Sequence, residues 1–406
     1  MLGLPREIVL MSRPIVSHPL ARLAAGIALM LLALPPLAIA ADDGVTANEI
    51  VIGTTTDLSG VTAVQGVNNS DSIRMVFDDV NKAGGINGRK IRYIVEDTQY
   101  TVPRAVQAIN KLVNLDHVFF TIADGGTPMN NAEMPMQFAK GVPNVFPLTG
   151  ARAMYEPYNR LKFGQFASYY DQMRAAVKYF VEQRHIQRIC ALYQDSDFGK
   201  DVFAGIQEQA KVMNMPIVAT VTDHPTDTDF TATLAKLRDA NCDFVGMGTI
   251  VRDTVDILSQ AKKMGWHPAF VGQVASYDTA VATAPGGVGD GFYSMTPALY
   301  AYPDDPRPAV QKFAAEFKQR YGIDPNFLGE TGFTSANMVV LAIKNAGPNL
   351  TRDSFIKAME DIHEYHDIFG TTLSLGPNQH HAETAAFLAV VKDGRWVAVT
   401  TQQLVY

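Results

Sequence analysis

The sequence predicts an α/β protein made of two similar lobes, each built on a parallel sheet. Three observations point there. From Glu49 onward, short β-branched or apolar runs alternate with longer stretches of 3.6-residue periodicity, the pattern of parallel βαβ units. The alternation comes in two series: Lys111-Leu112 before Val118-Phe119-Phe120 is echoed by Lys236-Leu237 before Phe244-Val245, an offset of about 125 residues. Finally, 406 residues with 47% hydrophobic and 18% charged side chains suffice for two ordinary globular cores.

In the first series, Ile50–Thr54 is a strand, Val64–Lys82 a helix stopped by Gly84-Gly85, and Arg92–Glu96 a strand. A helix from Pro103, a strand over Val118–Ile122, a helix from Pro128 and a strand over Asn144–Phe146 complete it. The second series runs helix 170–183, strand 188–193, helix 199–213, strand 217–222, helix 230–240, strand 243–247, helix 251–264 and strand 269–273. Strict alternation then ends. Val310, Phe313, Phe317 and Tyr321 form one apolar stripe closed by Gly322, and Ser335–Ala346 is apolar nearly all round, hence a buried helix. Thr351 caps a further helix carrying Phe355, Ile356 and Met359, and a hairpin turns at Lys392–Arg395.

The first forty residues differ from the rest. Arg6, Arg13 and Arg22 precede an apolar run, Leu23–Leu34, and Ala38-Ile39-Ala40 follows it, the pattern of a secretory signal peptide cleaved after Ala40. At about 12 residues the run is too short to span a bilayer. With 34 basic and 41 acidic residues, the chain lacks the basic surface that nucleic acid requires. Cys190 and Cys242 lie at two strand patterns; parallel neighbours bridge only awkwardly, and the expectation is two buried free thiols.

Signatures of catalysis are missing. Gly286–Gly291 does not spell a dinucleotide fingerprint, and there is neither a Walker lysine nor a nucleophile elbow. His363 and His366 are one residue too close for a helical metal pair, and His380-His381 reads as solvated surface, so no metal and no cofactor is expected. Polar loops follow several strands instead. Thr54–Gly60 follows the first, and Asp124-Gly125-Gly126-Thr127-Pro128 precedes a helix whose free N–H groups could hold a carboxylate.

With the strand Ile50–Thr54 and its loop Thr55–Gly60, the turn Gly84–Lys90, the strand-loop Val95–Tyr100 and the segment Asp195–Gly199, the chain resembles the periplasmic solute-binding proteins of branched-chain-amino-acid-type ABC transporters. The resemblance covers residues 45–400. It implies the type I periplasmic-binding fold, two Rossmann-like lobes joined by three hinge crossovers. Lobe 1 would be 45–165 plus 295–370, and lobe 2 would be 166–294 plus 371–406, with crossovers near Gln165, Ser294 and Gly370. A small ligand would be held between the lobes, without catalysis, by a protein that is usually a monomer and works with a membrane permease.

Carried over by position, the carboxylate-holding contacts would be Gly125, Gly126, Thr127, Leu148, Thr149 and Gly150. Phe198 and Ile250 would form the second-lobe wall, and Gln65 stands where leucine-binding members carry an aromatic. The acidic residue that holds an amino acid's ammonium falls at Val274, beside Gln273. A buried ammonium without a countercharge costs several kcal/mol, so the ligand expected is an organic acid lacking the α-amino group. Tyr100, Tyr169, Tyr170 and Tyr277 near the cleft loops favour an aromatic carboxylate, with Arg152 or Arg252 as its partner. The rival readings are an amino-acid receptor using Glu330 or Asp171 for the ammonium, a ligand sensor of the same fold, and a hydrolase.

Overall fold

The computed structural model describes residues 43–406, so the signal-peptide reading of 1–40 lies outside the described residues. In chain order the first lobe opens β1 (Glu49–Thr56), α1 (Ala63–Lys82), β2 (Lys90–Asp97), α2 (Val102–Asn114), β3 (Phe120–Ile122), α3 (Thr127–Ala139), β4 (Asn144–Val145) and β5 (Lys162–Phe163). These strands form a parallel sheet in the order β2-β1-β3-β4-β5. Side chains alternate across it: Ile50 and Ile52 of β1 face Ile73 and Phe77 of α1, whereas Val51 faces Ile109 and Leu112 of α2.

The second series gives α4 (Tyr169–Arg184), β6 (Ile189–Gln194), α5 (Asp197–Val212), β7 (Ile217–Asp223), α6 (Thr231–Asp239), β8 (Phe244–Gly248), α7 (Val251–Lys263), β9 (Ala269–Gly272), α8 (Thr279–Ala282) and β10 (Tyr293–Thr296). After these come α9 (Pro308–Tyr321), α10 (Phe327–Ala346), α11 (Arg352–Glu360), β11 (Tyr365–His366), β12 (Thr372–Leu373), β13 (Phe387–Lys392) and β14 (Arg395–Ala398). A second sheet runs β14-β13-β10-β9-β8-β6-β7, parallel except where the terminal hairpin joins. Asp393 and Gly394, both with positive φ, make the hairpin's two-residue turn.

The chain passes between the two cores three times. Phe163 belongs to the first and Phe166 to the second; Met295 to the second, while Ala301 packs on α9 beside Met75 of α1; Ala382 to the first and Ala386 to the second. Thus the third passage lies beyond the expected Gly370, because Leu373, Leu375 and Ala382 still pack on the first core.

Three sequence expectations are revised. Helix α10 starts at Phe327, well before Ser335, because Gly329 and Gly332 let its first turns lie against α1: a Cβ on Gly332 would stand 2.5 Å from the Asn69 carbonyl. Asn69 Nδ2 also donates to the Leu328 carbonyl, at 2.9 Å. His380 and His381 are buried rather than solvated, because Gly164 and Ala382 exchange backbone hydrogen bonds with this segment and lay it along β5. Their rings stack on Phe163 and Tyr155 at 4.0 and 3.9 Å between centroids.

The third revision concerns the cysteines, which form a disulfide. Cys190 lies in β6, but Cys242 precedes β8, in the turn from α6, and so escapes the pleat that keeps facing side chains of parallel strands apart. The Cα atoms are 5.8 Å apart, within the normal span of a bridge. Closing a loop with a sequence separation of 52 stabilises the fold by about 4 kcal/mol in the chain-entropy treatment. Replacing both cysteines by alanine should therefore lower stability by about 2–4 kcal/mol, read by denaturant melts. An unchanged midpoint would show the bridge to be energetically idle.

Candidate ligand-binding cleft

Strand ends and helix starts converge between the sheets, and they do so through buried carboxylates. Asp57, just past β1, takes hydrogen bonds from the N–H groups of Ser59, Gly60 and Thr62 and from the Thr62 hydroxyl, at 2.5 to 3.2 Å. This fixes the turn into α1. Gly66 then packs so closely that a Cβ would stand 2.0 Å from the Asp57 carbonyl.

Asp124 does the same for the loop after β3. Its oxygens accept from Thr55 N–H at 2.9 Å, Thr121 Oγ1 at 2.5 Å and Gln137 Nε2 at 3.0 Å. Gly125 donates to the Thr55 carbonyl at 2.7 Å and Leu148 to the Asp124 carbonyl at 2.8 Å, so the loops after β3 and β4 lie side by side. Gly126, with φ +84°, turns the chain into α3. Thr127 Oγ1 meets Thr149 Oγ1 at 2.6 Å, and the first-turn N–H groups have no intrahelical partner. The result is a small cradle of hydroxyls and N–H groups aimed at a helix start, suited to an anion.

Counted with the solvent-open space at its mouth, the cleft measures about 580 Å³. Opposite the cradle, Tyr169 and Phe198 stand edge to face at 5.1 Å, and Ile250 and Val274 continue the apolar wall. The lobes meet across it. Gln65 Nε2 donates to the Ala275 carbonyl at 3.1 Å, Asn131 to Asp197 at 2.8 Å, and Arg152 pairs with Asp201 at 2.8 Å beneath the Tyr170 ring.

Of the residues singled out from sequence, Gln65, Tyr100, Gly125, Gly126, Thr127, Leu148, Thr149, Tyr169, Phe198, Ile250 and Val274 line this cleft. Four do not. Gly150 lies behind Tyr169, where a Cβ would stand 3.1 Å from the ring. Gln273 caps the turn carrying Val274 by accepting from Ala275 N–H at 2.7 Å. Tyr277 lies in the core against Trp396 and Phe327, its hydroxyl accepting from Tyr300 N–H. Arg252 turns away to the Pro225 carbonyl and Asp253, and Arg152 is held on the rim, so neither guanidinium lines the cleft. Sequence reasoning missed Thr56, Asp57, Thr62 and Gly66, although the polar loop containing the first two was in view, and also Phe166, Ala275 and Leu328, which nothing local distinguishes from core.

Asp57 is the charged residue lining the cleft among the described residues, and its oxygens are engaged by the turn. Glu330 and Asp171 lie elsewhere: Glu330 accepts from Ala301 N–H, and Asp171 from Ser168 and Tyr406 hydroxyls. Behind the cradle, burial raises the pKa of Asp124 to about 6, and burial together with the Asp124 charge raises Glu133 well above the carboxylate range. At the interlobe contact Asp278, which accepts from Asn326 Nδ2, is also pushed by burial to about 6.

Asp124 and Asp278 thus bind protons more tightly folded than unfolded. Their contribution to stability is complete below about pH 4 and is lost as pH rises through about 6. Thermal melts should give a higher Tm at pH 5 than at pH 7.5, with a shallower slope in Asp124→Asn. A Tm rising over that interval would contradict the assignment.

Comparison with known proteins agrees with this geometry. A family model described as periplasmic binding protein matches residues 49–395. The leucine-specific-binding protein of Salmonella typhimurium is 25% identical over 289 residues, 70% of this chain and 77% of the relative. Two solved structures share the fold. A solute-binding protein from R. palustris in complex with benzoate has a TM-score of 0.78 at 18% identity, covering 88% of this chain and 96% of its own. A branched-chain amino acid ABC transporter protein from Thermus thermophilus with bound valine has a TM-score of 0.79 at 18% identity, covering 89% and 98%. A cleft between two parallel-sheet lobes, a match over most of the chain and these shared folds lead to one conclusion: the chain belongs to the periplasmic binding protein family.

Proposed function

We propose that this protein is the periplasmic substrate-binding component of an ABC importer, and that it captures a small organic acid without an α-amino group, an aromatic carboxylate above all. One observation carries the ligand class: the cleft holds no uncommitted carboxylate. Val274 stands on the wall where the resemblance places the ammonium's partner, and Asp57 is consumed by its own turn. An ammonium sealed there would cost several kcal/mol, whereas a carboxylate finds the Thr127 and Thr149 hydroxyls and the free N–H groups at the start of α3. With both arginines outside, the anion would be held by dipoles rather than by an ion pair. Tyr100, Phe166, Tyr169 and Phe198 supply flat apolar walls for a ring.

Binding would close the lobes over the ligand, aligning Asn131 with Asp197 and Arg152 with Asp201 at the rim. Closure distinguishes loaded from empty protein for a membrane permease. The R. palustris neighbour with benzoate supports the aromatic-acid reading; the neighbour with valine and the leucine-specific relative keep an amino acid as the second reading.

A thermal-shift comparison of benzoate with leucine separates the two. Benzoate at about 100 times its Kd should add roughly 2.7 kcal/mol of stability and leucine nothing. A leucine shift without a benzoate shift would overturn the ligand class and leave the receptor role standing. Thr127→Ala should weaken benzoate binding about 10- to 100-fold by calorimetry, the loss of one hydrogen bond to a charged group. Val274→Glu should lose benzoate and gain leucine.

A further inference from the structure

A second, smaller cavity, about 290 Å³ counted with its solvent-open space, lies where the three passages between the lobes meet. Gln165 and Phe166 line it from the first passage, Pro297 and Ala298 from the second, and Glu383 from the third. Phe166 also lines the ligand cleft, so a single ring borders both spaces. Three carboxylates face the chamber: Glu330 from the first turn of α10, Asp367 from the turn between β11 and β12, and Glu383.

Their hydrogen bonding is unequal. Asp367 accepts from Phe369 and Thr371 N–H and from Thr334 Oγ1 at 2.8 to 2.9 Å. Glu330 accepts from Ala301 N–H at 3.1 Å. Glu383 is 7% exposed, and its Oε2 is fully buried without a partner. Nearby charge does not compensate. Arg307, at the start of α9, acts on Glu330 but commits its Nε and Nη2 to Asp305 at 2.8 and 2.7 Å. His381, two residues before Glu383, is disfavoured as a cation by its burial, although its Nε2 meets the Phe166 carbonyl.

We propose that this chamber couples lobe closure to proton uptake: closing the lobes seals Glu383 beside Glu330 and Asp367, and the sealed state accommodates Glu383 only in its protonated form. The physical cause is desolvation reinforced by like charge, since three carboxylates in one small space cannot all ionise. Burial and the Asp367 charge push Glu383 to about 8, and burial lifts Glu330 well above its ordinary range. Opening would rotate the lobes about these passages, admit water to the chamber and return Glu383 toward its ordinary value near 4.3. Between about pH 5 and 8, closure therefore takes up to one proton at Glu383, and ligand affinity falls by up to tenfold per pH unit as pH rises. Below that window both forms are protonated, and above it both are ionised.

This inference rests on the closure-on-ligand reading above, and two measurements keep the two apart. Calorimetry of benzoate, or of leucine if benzoate does not bind, at about pH 7 in buffers of different ionisation enthalpy counts the protons taken up on binding. Wild type should take up about one more than Glu383→Gln, and Glu383→Ala should match the glutamine variant whatever its stability. Equal uptake in wild type and variant would overturn the proposal. Small-angle scattering of ligand-free protein at about pH 5.5 and 8 decides independently of any ligand. Wild type should be more compact at the lower pH and Glu383→Gln should not respond; compactness independent of pH in wild type sinks the proposal even if both acids bind. Failure of both probes to bind, with the scattering response intact, would fault only the assigned ligand class.

Discussion

Two buried carboxylates hold the binding surface together. Asp57 and Asp124 stand at the ends of adjacent strands; Asp57 gathers the N–H groups of its own turn, and Asp124 gathers donors from β1, β3 and α3. Everything on the first-lobe side of the cleft depends on them: the start of α1 with Gln65, the turn at Gly125 and Gly126, and the alignment of Thr127 with Thr149. The cost is desolvation of charge, offset locally by three or four hydrogen bonds to each group. The first-lobe wall thus uses buried carboxylates as scaffold, each turned into its own surroundings instead of toward the cleft.

The cleft is also informative for what its charges do. Arg152 binds the opposite lobe, and Arg252 braces the loop after β7. Among the described residues no cation lines the cleft, so under the proposed reading selectivity would fall to hydroxyls, helix-start N–H groups and ring-shaped walls. A site of that kind would discriminate by shape and by the penalty on an unpaired ammonium more than by attraction.

Much of this was legible in the sequence because it depended on local periodicity. Alternating strands and helices, the Gly-Gly-Thr-Pro helix start and the hairpin at Asp393-Gly394 each follow from backbone preferences within a few residues. The resemblance then supplied the pairing of distant loops, and with it most of the cleft lining. What was not legible depended on tertiary context. The first two turns of α10, with Gly329 and Gly332, lack the apolar run of Ser335–Ala346 and are explained only by α1 lying against them, and His380-His381 reads as polar surface until rings are found on both. Arginine direction and the bridging of Cys190 to Cys242 likewise turn on where a neighbouring element ends, which periodicity does not encode.

The packing of α10 on α1 has a consequence for how the chain is made. The two helices are the most extensively packed pair in the first lobe, joined by Asn68 and Asn69 to the start of α10, yet more than half of the described chain separates them. During vectorial synthesis α1 emerges long before its partner, and the first lobe cannot complete its core until α10 has left the ribosome. The nascent first lobe therefore stays loosely folded while most of the polypeptide is being made, a state that chaperones can hold and a narrow conduit can thread.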